Sequence, residues 1–194
     1  MKIICIGDSL TFGYGIKRSN IWTNLAKDKL NVEIINEGIN GDTTGGMLSR
    51  FNDSVILKKP DIVFIMGGSN DLIAGATLGV MQANIMSMVH QSFGKLIVPI
   101  IGIPSKVDIL NVRKDWAEFT DFYEISSQME KYKTWIIEFS KTFGVNYIDF
   151  NYEVEKSALL LNESIYIDGL HLNEVGHKIM SEIFIEKINE MKNN

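Results

Sequence analysis

Five short apolar runs of strand length punctuate the chain, at residues 2–6, 32–36, 61–66, 95–101 and 145–150. Within each run apolar residues follow one another instead of alternating with polar ones. Parallel strands covered on both faces read this way, whereas a sheet with one wet face alternates. Between the runs the apolar period lengthens to that of a helix. Over residues 43–57, Met47, Phe51 and Val55 share a face, and Asp42 stands where a cap is expected. Residues 78–93 carry Met81, Ile85, Met88 and Val89, and residues 122–143 carry a stripe from Phe122 and Ile125 to Phe139 and Phe143. The last pattern, residues 173–191, holds Val175, Ile179, Ile183 and Ile188. Strand and helix alternate about five times. That order predicts an α/β fold: an open, doubly wound parallel sheet between two layers of helices.

The chain has 194 residues, enough for one domain with a sizeable core, and we expect residues 1–194 to form a single domain. A formal charge of −5 with no basic stripe or Arg-rich helix argues against nucleic acid as a partner. The one cysteine, Cys5, lies inside the first strand run and reads as buried filler. No run approaches the ~20 apolar residues of a membrane span. Only four apolar residues separate Lys2 from Gly7-Asp8, too few for the ~7–15 of a signal core. A soluble, cytoplasmic protein without membrane insertion is the expectation.

In sheets of this kind sites form at the carboxyl ends of the strands. Gly7-Asp8-Ser9-Leu10 follows the first run, Glu37-Gly38-Ile39-Asn40-Gly41-Asp42-Thr43 the second, and Gly67-Gly68-Ser69-Asn70-Asp71 the third. Asp168-Gly169-Leu170-His171 precedes the last helix. One sheet edge thus gathers a hydroxyl, a turn able to aim an N–H, a side-chain amide, a carboxylate and an imidazole. Those are the parts of an acyl-transfer site.

These four segments, in this order, resemble the sequence blocks of the GDSL esterases, also called SGNH hydrolases. Gly7-Asp8-Ser9-Leu10 is similar to the first block, and Asn36 to Thr43 to the second, with its glycine at Gly41. Gly68-Ser69-Asn70-Asp71 is similar to the third, and Asp168-Gly169-Leu170-His171 to the fifth. The resemblance runs from residue 7 to 171 and implies a flavodoxin-like five-stranded sheet of order 2-1-3-4-5, the SGNH-hydrolase fold. It also implies ester or thioester hydrolysis without a cofactor. Ser9 would then be the nucleophile, His171 the general base and Asp168 the carboxylate that orients it. The N–H of Ser9, the N–H of Gly41 and the amide of Asn70 would form the oxyanion hole.

Asp8, Asp42, Asn36 and Asp71 read as scaffold that binds loop amides or caps helices. His90 reads as a solvent or core residue and His177 as a packing or capping one. No His, Cys and Asp cluster has metal-ligand spacing, and the first loop lacks the Gly-Lys-Ser/Thr of a phosphate loop, so no metal or nucleotide is expected. Between residues 104 and 123 the pattern breaks, and Trp116, Phe119, Phe122 and Tyr123 cluster among charged residues. This stretch is either a wall or lid over the site or an ordinary helix start whose aromatics pack inward. Ile39, Ile73, Trp116 and Leu172 are candidate substrate contacts. The expected partner is a small acyl ester or thioester. A carbohydrate O-acetylesterase, an acyltransferase and, in another class, a non-catalytic binding module are the alternatives.

Overall fold

The computed structural model describes residues 1–193. Its strands are β1 (Lys2–Gly7), β2 (Glu33–Gly38), β3 (Ile62–Met66), β4 (Val98–Ile103) and β5 (Asn146–Asp149). All pair in parallel, in the order β2-β1-β3-β4-β5. The helices are α1 (Ser9–Phe12), α2 (Trp22–Leu30), α3 (Thr44–Ser54), α4 (Ser69–Ile73), α5 (Leu78–Phe93), α6 (Lys114–Ala117), α7 (Phe122–Phe143), α8 (Phe150–Leu161) and α9 (Glu174–Asn193). The layering is the one the apolar pattern predicts, and the sheet order is the one the family resemblance implied.

The period-2 geometry of a strand sends its buried side chains to two different cores. Ile4 and Ile6 of β1, with Val63, Ile65 and Ile101, pack under α3, α5 and α7. Ile3 and Cys5, with Phe64, Met66 and Ile100, pack under α2, α8 and α9. Trp22 lies at the centre of the second core, its ring 5.3 Å from Phe64 and 5.1 Å from Phe184. Its Nε1–H donates to the carbonyl of Leu10 at 3.0 Å, so the core also steadies the turn after β1. Truncating a tryptophan of this kind costs about 3–5 kcal/mol.

The local differences from the sequence expectations have physical reasons. The fourth strand starts at Val98 and not at residue 95. Lys95 to Ile97 turn out of α5, with Leu96 at φ 58° and 93% exposed. The fifth run ends at Asp149, whose carboxylate accepts from the Tyr152 N–H at 3.0 Å and opens α8 at Phe150. Thr43, not Asp42, caps α3 by accepting from the Gly46 N–H at 3.1 Å, and α3 stops at Ser54 instead of reaching residue 57. Helices α2 and α8 had no counterpart among the named helical patterns. The first is nine residues long and buries only Trp22, Thr23 and Ala26.

Candidate active site

The loops after β1, β2 and β3 meet the turn before α9 at one edge of the sheet. Asp8 is buried and accepts from the Leu10 N–H at 2.9 Å, which turns the chain from β1 into α1 and sets Ser9 at the helix start. Ser9 Oγ lies 2.8 Å from His171 Nε2, across 162 residues of sequence. His171 Nδ1 lies 2.8 Å from Asp168 Oδ2. Asp168 Oδ1 accepts from the N–H groups of Leu170, at 3.1 Å, and His171, at 2.8 Å.

Burial works against ionising Asp168, but the backbone and ring donors of His171, helped by the Leu170 amide, hold its carboxyl below the ordinary range. An ionised Asp168 requires the hydrogen on Nδ1, which leaves Nε2 bare toward the serine. Ser9 then donates its hydroxyl hydrogen to the imidazole. The ring is also held by aromatic neighbours. Tyr14 lies over it at 4.4 Å between centroids, and Trp116 meets it edge-on at 5.8 Å.

Gly41 sits at φ 75°, in the left-handed region that favours glycine. Asn70, in α4, donates one amide hydrogen to the carbonyl of Asp42 at 2.9 Å. Ser9, Gly41, Asn70, Ile73, Trp116 and His171 all line one cavity of about 390 Å3. Tyr14, Asn40 and Leu170 line it too, as do Phe119, Thr120 and Phe122 from the stretch at 104–123. Tyr14, Asn40 and Leu170 were not singled out from the sequence; the nearest signal for Tyr14 is its place between Gly13 and Gly15 just after the serine turn. A larger groove, of about 660 Å3 between residues 106–110 and 158–166, holds no comparable hydroxyl–imidazole pair.

Two expected substrate contacts fall outside the lining. Leu172 is wholly buried in the α2/α8/α9 core, because its backbone bridges to Tyr166 and its side chain packs beneath the turn. Leu170, two residues earlier, takes the place at the cavity. Ile39 is half exposed and lies outside the cavity wall.

The 104–121 stretch is fastened to the turn that carries Asp168. The Asp108 N–H donates to the Gly169 carbonyl at 2.7 Å, and the Arg113 N–H to the Asp168 carbonyl at 3.2 Å. Gly169 has φ 83°, and a Cβ there would come within 2.5 Å of the Val112 nitrogen, so only glycine admits this approach. The Arg113 guanidinium lies 4.6 Å from the centre of the Trp116 ring.

The other histidines stay apart. His177 is buried, and its Nδ1 accepts the Trp22 N–H at 3.3 Å at the start of α2. Burial, with a smaller contribution from His171, pushes its pKa down to about 4, so it is neutral near pH 7. His90 is exposed. The scaffold residues bind loops: Asn36 donates to the Thr11 carbonyl and accepts from the Gly38 N–H, and Asp71 accepts from the N–H and hydroxyl of Thr44.

A sequence profile of the GDSL-like lipase/acylhydrolase family matches residues 5–179. The chain belongs to this family. It is 29% identical over 140 residues to an arylesterase of Vibrio mimicus, a match covering 68% of this chain. That match spans 66% of the Vibrio protein, just under two thirds of its length. It is 24% identical over 164 residues to an acetylxylan esterase of Geobacillus stearothermophilus, covering 82% of this chain and 74% of that protein. The crystal structure of a lipase/acylhydrolase from Enterococcus faecalis superposes with a TM-score of 0.80 at 26% identity, over 98% of this chain and 97% of the other. Among the described residues, no helix is long and apolar enough to cross a membrane.

Proposed function

We propose that this GDSL-family chain hydrolyses carboxylic esters or thioesters of small molecules through an acyl-Ser9 intermediate, and that residues 1–194 act as one catalytic domain. The observation that carries the reading is the continuous relay Ser9–His171–Asp168, with 2.8 Å at each step, opening into a cavity that Gly41 and Asn70 also line. Ser9 Oγ attacks the acyl carbon as its proton passes to His171 Nε2. The negative charge on the former carbonyl oxygen falls to the N–H groups of Ser9 and Gly41 and to the Asn70 amide. His171 then protonates the leaving oxygen or sulfur, and Asp168 stabilises the imidazolium in between. In the second half His171 takes a proton from water, which attacks the acyl-serine, and returns it to Ser9 Oγ as the acid leaves. Each step is a proton transfer or a displacement at one carbonyl, so the reaction needs no cofactor.

The walls of Tyr14, Ile73, Trp116 and Phe122 are apolar, which supports an aryl or alkyl acyl ester. The acetylxylan esterase relative favours a second reading, deacetylation of a carbohydrate. The test is hydrolysis of p-nitrophenyl esters from acetate to palmitate by the wild type and Ser9→Ala in parallel, with acetylated xylan as a further substrate. Turnover by the wild type alone is expected, with the optimum chain length reporting the acyl class. Turnover retained by Ser9→Ala would refute the assignment.

A further inference from the structure

The three donors assigned to the oxyanion hole stand on three separate loops, after β1, β2 and β3. One side chain binds the first two of these segments directly and meets the third through Asp42. Arg50, in the body of α3, donates from Nε and Nη2 to Asp42 Oδ2 at 2.9 and 2.7 Å. Nη2 also reaches the carbonyls of Glu37, at 2.8 Å, and Gly7, at 3.3 Å. Gly7 lies two residues before Ser9 and ends β1. Glu37 is in the strand that leads to Gly41. Asp42 follows Gly41, and its carbonyl accepts the Asn70 amide at 2.9 Å. The arginine side chain is 18% exposed and that of Asp42 10%, so this is a largely enclosed charge pair. The helix makes room for it: a Cβ at Gly46 would collide with the Asp42 carboxylate.

We infer that Arg50 is a positioning residue for the oxyanion hole, setting the spacing of the Ser9, Gly41 and Asn70 donors without touching the substrate. This rests on the hydrolase reading proposed for the same site. Donors in such a hole act only when held in advance about 2.7–3.1 Å from where the oxyanion forms. A planar guanidinium can serve a carboxylate and two carbonyls in one fixed arrangement, which a lysine ammonium cannot. Arg50 also offsets the Asp42 charge. Without it, three carboxylates, Asp8, Asp42 and Asp71, would stand behind a site that must stabilise a growing negative charge.

A role confined to holding α3 in place predicts something different, and a double-mutant cycle separates the two. Arg50→Gln, Arg50→Lys, Asn70→Ala and the two doubles are assayed for kcat, KM and melting temperature on the best p-nitrophenyl ester. For a positioning role, Arg50→Gln lowers kcat by about 10- to 100-fold, short of the 10²–10³ for deleting a hole donor, and leaves KM within about twofold. Arg50→Lys recovers part of the loss. In the Asn70→Ala background the same Arg50 substitutions cost clearly less, because one of the donors they position is already gone. Equal costs in both backgrounds, or a loss that appears in KM, would overturn the inference. If Arg50→Gln does not fold, Arg50→Lys and Asp42→Asn complete the cycle with Asn70→Ala. A wild type that hydrolyses no ester overturns the hydrolase reading itself, whereas additive losses in an active enzyme overturn only the role of Arg50.

Discussion

Asp8 is a buried carboxyl with little to offset its charge, and replacing it with asparagine should change how stability depends on pH. Its carboxylate receives one hydrogen bond, from the Leu10 N–H at 2.9 Å, and is 1% exposed. Nearby Asp71 has two donors on Thr44, and Asp42 has Arg50, but Asp8 faces no cation. Burial, reinforced by the charges of Asp42 and Asp71, raises its pKa from 3.8 to about 7. In the unfolded chain Asp8 ionises near the ordinary value. From about pH 4 to 7 the folded state therefore holds a proton that the unfolded state has lost, and stability falls as pH rises through this window. About two pH units of the window lie between pH 5 and 8. At about 1.4 kcal/mol per unit the ceiling is near 3 kcal/mol, and relaxation of the site brings the expectation to roughly 1–2 kcal/mol. Asparagine keeps the acceptor for Leu10 and removes the charge. The melting temperature of Asp8→Asn minus that of the wild type should be larger at pH 8 than at pH 5 by about 2–6 °C. His177 has the opposite slope, since its pKa of about 4 makes the fold lose stability as pH falls from 6.5, but it contributes equally to both proteins and cancels. Thermal melts followed by circular dichroism at the two pH values suffice. A difference that is the same at both would refute the argument.

Removing the assigned hole donor with Asn70→Ala should lower kcat by about 10²–10³, with a melting temperature close to that of the wild type; a loss confined to KM would count against the role. Asp168→Asn should lower kcat by up to about 10⁴, because a neutral amide no longer fixes the hydrogen on Nδ1; steady-state kinetics on p-nitrophenyl acetate measures it. Trp116→Ala, which opens the cavity beside His171, should move the preferred acyl chain toward longer esters, and an unchanged chain-length profile would show that this wall does not select. Gly169→Ala should cost at least about 1–3 kcal/mol, since the left-handed backbone and the contact with Val112 both oppose a side chain; a denaturant midpoint equal to wild type would contradict this.

Much of the architecture was legible because buried parallel strands write continuous apolar runs, and their polar ends mark where loops converge. Ser9, Gly41, Asn70, Asp168 and His171 all follow such ends or precede the last helix, and the fold gathers four of them at one cavity with Asp168 behind His171. Leu172 shows where adjacency fails. In the turn that bears His171, residues two apart part ways, and Leu170 meets the cavity while Leu172 enters the core. Helix α2 is not legible in the sequence because a nine-residue amphipathic segment anchored mainly by Trp22 leaves too few repeats to read a period. Arg50 left no trace at all. Its partners are two backbone carbonyls, one carboxylate and the Ser54 hydroxyl, and a side chain that binds main chain produces no pattern in the positions it serves.

The distance along the chain between Ser9 and His171 has a consequence for synthesis. The serine and all three proposed hole donors lie within the first 70 residues, yet the imidazole and its carboxylate arrive only after residue 167. A chain still on the ribosome, with β1 to β4 emerged, carries the Ser9 hydroxyl but not the base proposed to activate it. The helix that follows His171 also brings His177 to the Trp22 amide, so the segment that carries the proposed base is the one that packs α9 against α2. The order of residues thus withholds the proposed base until β1 to β5 and α8 have all been made.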